Sequence, residues 1–231
     1  MFHLPFLLIS LTMFFIWSSL LFFGQKTRRE QIIMSVAGLV LTPAILLVAA
    51  ADYRAAGSLT SGFVGIEDLI FAFSFTGVAA VVYEVIIGRR LKPIRRNHLG
   101  GRQPLHWLAT LVIVLGAWAA ISFAAMLLFP IGSIYCFMIG ALMVGTYIIA
   151  DRHDLLVDAI FSGLFMAVLV FGLEQLFFVH LFPIEASALW QTDRLSGLFI
   201  NGIPVEEIIW ILIVGLTIGP VYEFIRHYRI K

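Results

Sequence analysis

The sequence predicts an all-α membrane protein, a polytopic bundle of seven transmembrane helices arranged as two parallel three-helix repeats joined by a connector helix. Three observations predict it. Of 231 residues, 61% are hydrophobic and 13% charged, with a mean hydropathy of +1.01, an apolar excess that a soluble fold of this size would leave in water. Apolar stretches recur seven times at the roughly 20-residue length that a hydrocarbon core of about 30 Å requires. Basic residues gather in alternate connections between those stretches, as they do on the cytoplasmic side of membrane proteins.

The stretches run over 4–24, 31–51, 64–88, 105–129, 132–150, 155–182 and 204–225. The first has no basic segment before it and carries Lys26, Arg28 and Arg29 after it. That pattern fits a retained helix with its N-terminus outside rather than a cleaved signal. With seven spans, the segments on the inside hold those three residues, the six basic residues Arg89, Arg90, Lys92, Arg95, Arg96 and Arg102, then Arg152, and finally Arg226, Arg229 and Lys231. That is thirteen of the fifteen basic residues, and Arg54 and Arg194 fall outside. Six or eight spans would break the alternation, so the C-terminus is expected in the cytoplasm. The basic tract 89–102 lies between two spans and reads as a topology signal rather than a nucleic-acid surface. The lone Cys136 lies in an apolar run and reads as a small core residue.

The two halves match. Residues 64–84, VGIEDLIFAFSFTGVAAVVYE, lie against 203–223, IPVEEIIWILIVGLTIGPVYE, at a constant offset of 139. Glu67 falls on Glu206, Asp68 on Glu207 and Phe71 on Trp210, and the register still holds at Tyr83-Glu84 and Tyr222-Glu223. Apolar identities are cheap in membrane helices, but two acidic pairs and two Tyr-Glu ends in one register are not. TRREQII at 27–33 resembles DRHDLLV at 151–157 more loosely. On this pattern residues 1–96 form a first repeat, 97–131 the connector and 132–231 the second repeat. Both acidic helices start outside, so the repeats are parallel.

Carboxylates in or near hydrocarbon cost roughly 2.5–3.5 kcal/mol on insertion scales, which makes them candidates for function. Glu67/Asp68 and Glu206/Glu207 sit in the first turn of their helices, where the macrodipole also favours acids, and each pair is followed by an aromatic residue (Phe71, Trp210). Adjacent residues stand about 100° apart on a helix, so one member of each pair can face the bundle while its neighbour bonds sideways. A carboxyl that keeps its proton there is a general acid for a lipid-soluble substrate. Asp52 ends the second span, and Glu174 lies late in the sixth within FGLEQLFF, facing the bundle. Glu84 and Glu223, seventeen residues past the acidic pairs, are expected at the opposite interface in a tyrosine-containing belt beside arginines.

The tract GIPVEEIIW at 202–210 resembles the Pro-x-Glu-Glu motif of the integral-membrane lycopene cyclases, the heterodimeric and fused carotenoid cyclases. GLFINGIPVEE at 197–207 resembles the approach to that motif, and Asp52 resembles the aspartate that precedes it. The first copy departs from the pattern, with Gly65 for proline and Asp68 for the second glutamate. The tryptophans expected after Asp52 are missing, and Glu174 lies near the place of the second aspartate. The resemblance implies a redox-neutral cyclisation of the linear end groups of lycopene within the membrane, with no cofactor and no metal. A carboxylic acid protonates C2, the C5=C6 double bond attacks the C1 cation, and proton loss ends the reaction. It implies Glu206 or Glu67 as the acid, Glu207 and Asp68 as partners or proton acceptors, and Trp210, Phe71, Asp52 and Glu174 around the substrate. The implied partners are a lipophilic carotenoid and membrane lipid, with no nucleic acid and with homo-oligomerisation left open.

Two other readings compete. DRHDLLVD at 151–158 resembles the magnesium-diphosphate motif of UbiA-type prenyltransferases, although a second aspartate-rich motif is missing and the first-half counterpart is basic. A proton-coupled seven-helix transporter would also use intramembrane carboxylates. A retinal Schiff base is excluded, because the three lysines, Lys26, Lys92 and Lys231, all lie outside the spans. No G-x-G-x-x-G follows a strand, so flavin-binding soluble cyclases are not the template.

Overall fold

The computed structural model describes residues 4–49, 52–53, 64–88, 91–93, 106–186, 190, 195–226 and 228–230. Among the described residues, seven helical spans are long and apolar enough to cross a membrane: Leu4–Phe23, Arg28–Ala49, Ile66–Ile87, His106–Leu128, Ser133–Asp151, His153–Leu181 and Val205–Arg226. Each falls within a few residues of a stretch expected from the sequence. The chain is a membrane protein. The basic tract 89–102 lies largely outside the described residues.

In chain order the elements are α1 (Leu4–Phe23), α2 (Arg28–Ala49), α3 (Ile66–Ile87), β1 (Leu91–Pro93), α4 (His106–Leu128), α5 (Ser133–Asp151), α6 (Leu156–Glu174), α7 (Pro183–Ala186), β2 (Phe199–Ile200), β3 (Ile203–Pro204), α8 (Val205–Ile218), α9 (Val221–Arg226) and β4 (Tyr228–Ile230). A 3₁₀ turn, His153–Leu155, leads into α6, and a π-helical stretch, Gln175–Leu181, continues it. Pro220 has no N–H to extend α8, and the last span is accordingly divided into α8 and α9.

α3 lies on α1 and α2, α8 lies on α5 and α6, and α3 also touches α6 and α8. α4 packs on α5 and α9. Residues Val78 to Tyr83 of α3 are all buried, six in succession, and a helix hydrophobic all round belongs inside a bundle. Outward faces are apolar as well: Phe15, Val168 and Leu128 are each more than 70% exposed. In water such a surface would aggregate, whereas in lipid it is solvated.

Polar side chains fasten neighbouring helices. Trp17 Nε1 donates to Ser35 Oγ at 2.8 Å and Gln31 Nε2 to Trp17 O at 2.7 Å, joining α1 to α2. Thr217 Oγ1 donates to Ala141 O at 2.9 Å, joining α8 to α5. Between α6 and α8 the backbones themselves approach: a Cβ on Gly163 would lie 2.8 Å from Leu212 O, and one on Gly215 would lie 3.0 Å from Gly163 Cα. Small residues at such a crossing let membrane helices gain close dispersion contact.

Among the described residues there are also two small antiparallel strand pairs. β1 pairs with β4, with Leu91 opposite Ile230, so the segment after α3 meets the C-terminal segment. β2 and β3 form a hairpin whose turn residues, Asn201 and Gly202, have φ of 48° and 85°. Asn-Gly suits a two-residue turn with both φ values positive. This hairpin delivers the chain directly into Pro204 and the acidic start of α8.

Candidate active site

The two acidic pairs lie at the same end of the bundle, in the first turns of α3 and α8. In α3, Asp68 Oδ2 accepts the Gly65 N–H at 2.9 Å, closing the turn. Glu67 is fully buried and folds back over Gly65, where a Cβ would collide with its carboxylate. Glycine in place of the motif's proline thus leaves room for that carboxyl. In α8, Glu206 Oε1 accepts from Tyr135 Oη at 2.6 Å and from Ser196 N at 2.7 Å. Glu207 Oε2 accepts from Tyr53 Oη, and from Trp190 Nε1 at 3.3 Å.

A cavity of ≈ 200 Å³ opens beside these turns, lined by α1 to α6, the π-helical stretch and α8. The second member of each acidic pair, Asp68 and Glu207, lines it, as do Glu174 and Tyr53. The first members, Glu67 and Glu206, are not among its walls. The roughly 100° step between adjacent helical residues accounts for the division, and it is the same in both halves.

The remaining wall is apolar, mostly aliphatic, with a row of aromatic rings along it. Phe6, Phe71, Phe75 and Trp210 follow one another with ring-centroid separations of 5.4, 5.6 and 6.0 Å. The row runs from α1 through α3 to α8 and crosses from one half to the other. Ring faces carry negative electrostatic potential and attract a nearby cation. Glu174 lies at the junction of α6 with the π-helical stretch, a departure from α geometry that is frequent at functional sites.

Of the eight residues singled out from the sequence, Asp68, Glu207, Phe71, Trp210 and Glu174 meet at this cavity, while Glu67 and Glu206 pack beside it. Asp52 stands apart from it: its carboxylate accepts the Ser133 N–H at 2.7 Å and the Ser133 hydroxyl, capping α5. Tyr53, Tyr135, Trp190 and Phe75 were not foreseen. Tyr53 had a cue, being next to Asp52, but a lone tyrosine or tryptophan at a helix end usually reads as an interfacial anchor.

Glu84 and Glu223 do reach the opposite end of the bundle, but as buried groups rather than members of an interfacial belt, at 3% and 0% exposure. The aspartates of 151–158 separate. Asp154 is bound in bidentate fashion by Arg152 at 2.8 Å, Asp151 is exposed, and Asp158 is fully buried with Ser162. They present no joint diphosphate site. Beside Asp154, the Arg152 guanidinium is held above its ordinary pKa by that hydrogen bond.

A membrane bundle whose internal apolar cavity carries carboxyls at one end defines a protein suited to proton chemistry on a lipophilic molecule. Residues 132–225, from α5 into α9, match the family model described as lycopene cyclase. That match points toward a carotenoid cyclase. No curated protein and no solved structure matches the chain.

Proposed function

We propose that the chain cyclises linear carotenoid end groups of the lycopene type by acid catalysis in the cavity between α3 and α8. One observation carries this reading: an apolar cavity with a row of aromatic rings along it has the acidic residues Asp68, Glu174 and Glu207 at one end, on structural elements from both halves. A hydrocarbon substrate offers no group for hydrogen bonding, so apolar burial and ring faces must hold it. The carboxyls then supply the only polarity the reaction needs.

In the proposed sequence Glu207 gives its proton to C2 of the end group. No described residue donates to its Oε1, while Oε2 accepts from Tyr53 and Trp190. Those donors and the α8 N-terminus stabilise the carboxylate left behind, which is stabilisation directed at charge as it develops. The C1 cation passes over the faces of Trp210, Phe75 and Phe71 while the C5=C6 bond closes the ring. Asp68 or Glu174 takes the proton lost from the new ring, so the reaction is redox-neutral. This assignment moves the acid from Glu206 to its neighbour and gives Glu206 a positioning role through Tyr135 and Ser196. The equivalence of Asp68 and Glu207 at the offset of 139 supports two three-helix repeats contributing one acidic residue each.

Expression in a lycopene-accumulating bacterium with chromatography of the pigments tests the proposal. Wild-type protein should convert lycopene to cyclic products, and Glu207→Gln should lower that yield by at least about a hundredfold, the scale of lost general-acid catalysis. Glu206→Gln should lower it less. Unchanged lycopene in cells holding folded wild-type protein would overturn the activity. Full turnover in Glu207→Gln with loss in Glu206→Gln would return the acid to Glu206.

A further inference from the structure

At the end of the bundle opposite the cavity's acidic residues lies a second group of carboxyls that the cyclisation does not use. Glu30 opens α2, Glu84 lies in the last turn of α3, and Glu223 lies in α9. One carboxylate oxygen from each comes within 4.8 Å of the other two. All three residues are buried, at 1%, 3% and 0% exposure; among the described residues no donor from outside the cluster reaches their six carboxylate oxygens, and Glu223 stands within hydrogen-bonding reach of both Glu30 and Glu84. Asp158, fully buried near the start of α6, is electrostatically coupled to all three. Ser162 Oγ donates to its Oδ1 at 3.2 Å, and its Oδ2 is buried without a partner among the described residues.

Three buried carboxyl groups from three elements thus converge, with that of Asp158 from a fourth within electrostatic reach. The neighbouring cations among the described residues are few. Arg152 is bidentate on Asp154 and stands within electrostatic reach of Glu223, and Arg226 lies over the Trp107 ring at 5.6 Å. Buried carboxylates are ordinarily paired, protonated or bound to a metal. The donor set contains only carboxylate oxygens, which suits a hard divalent ion of the magnesium, manganese or calcium type rather than zinc or copper. The spacing fits as well. Oxygens on opposite sides of a calcium ion at about 2.4 Å lie about 4.8 Å apart, and those around the smaller ions lie closer.

We propose that Glu30, Glu84 and Glu223, with Asp158 beside them, bind one divalent cation that ties α2, α3, α6 and α9 together. The site is separate from the cavity and does not depend on the cyclisation proposal. Its role is structural: the ion joins the first half of the chain to the second at the end where the motif helices finish. It also gives the matching Tyr83-Glu84 and Tyr222-Glu223 ends a purpose that an interfacial belt does not.

Manganese is the probe, because its bound and free forms are distinguished by electron paramagnetic resonance. Protein purified in detergent and stripped with a chelator should lose thermal stability, take up one manganese ion per chain, and recover its Tm. Calcium or magnesium should compete for the site. Glu84→Gln/Glu223→Gln should bind manganese at least about tenfold more weakly, and its Tm should no longer respond to chelator. If that variant does not fold, Glu30→Gln serves in the same assay, and the stripping of wild-type protein needs no variant. Failure of wild-type protein to bind manganese stoichiometrically would overturn the proposal and leave protons to balance the cluster. Unaltered binding in the carboxamide variants would overturn it equally, by placing the ion elsewhere.

Discussion

Asp52 shows what a single residue's position changes. Its place before the acidic helix made it a candidate for substrate contact, yet its carboxylate is bonded to the N–H and hydroxyl of Ser133, at the first turn of α5. A cap of this kind is worth about 1–2 kcal/mol. Asp52→Ala should therefore lower the Tm measured in detergent by that equivalent and reduce cyclic product far less than Glu207→Gln. A loss of turnover as large as that of Glu207→Gln, without loss of stability, would put Asp52 at the substrate. Residue types were legible in the sequence here, but partners were not. Asp52 and Ser133 lie 81 residues apart, and Tyr53 and Glu207 lie 154 apart. No local pattern signals either pair. The division within each acidic pair was half legible: helical geometry required that the two members face differently, but not which one would meet the cavity.

At the level of elements, hydropathy located all seven spans because the approximately 30 Å of hydrocarbon sets their length. It did not orient them. A soluble helix reveals its buried side by contrast with a polar one, whereas these helices are apolar toward lipid and toward each other. α3 is the clearest case: its consecutive buried residues give no stripe to read. Close packing left a better trace, in glycine. Gly163 and Gly215 bring α6 and α8 into backbone contact, where a Cβ on Gly163 would meet Leu212 O and crowd Leu216. Gly163→Leu should force the helices apart and cost about 1–3 kcal/mol, the usual range for overpacking. The matching observable is a lowered thermal midpoint in detergent. Gly172→Ala makes the control, since a Cβ there would meet nothing within 4 Å. Equal midpoints for both variants would show that the α6–α8 contact is not tight. The β2–β3 hairpin was legible only in its Asn201-Gly202 turn, because two strands of two residues are too short to show a period.

For the molecule as a whole, the bundle has two chemically different ends. One gathers the start of α2, the end of α3 and α9, brought together at the Glu30–Glu84–Glu223 cluster, and the α5–α6 turn, which packs on β4. Lys26, Arg28, Arg29, Arg152 and Arg226 belong to or adjoin those segments. Arg28 reaches back to Leu21 O at 2.8 Å, closing the end of α1. The other end gathers Asp52, Ser133, the acidic starts of α3 and α8, and the hairpin. Positive charge resists translocation, so the basic end is expected in the cytoplasm and the cavity's carboxyls near the opposite face. Seven spans then place the two termini on opposite sides. Green fluorescent protein fused after Lys231 should fluoresce, since it matures in the cytoplasm. Alkaline phosphatase fused after residue 60, between α2 and α3, should be active, and fused after residue 97 it should be silent. A uniform reversal of these signals would invert the molecule and place the acidic end of the cavity toward the cytoplasm. A broken alternation would remove a span. Either way the carotenoid would enter from the lipid, because a C40 hydrocarbon partitions there, and only the face that exchanges protons with the cavity would change.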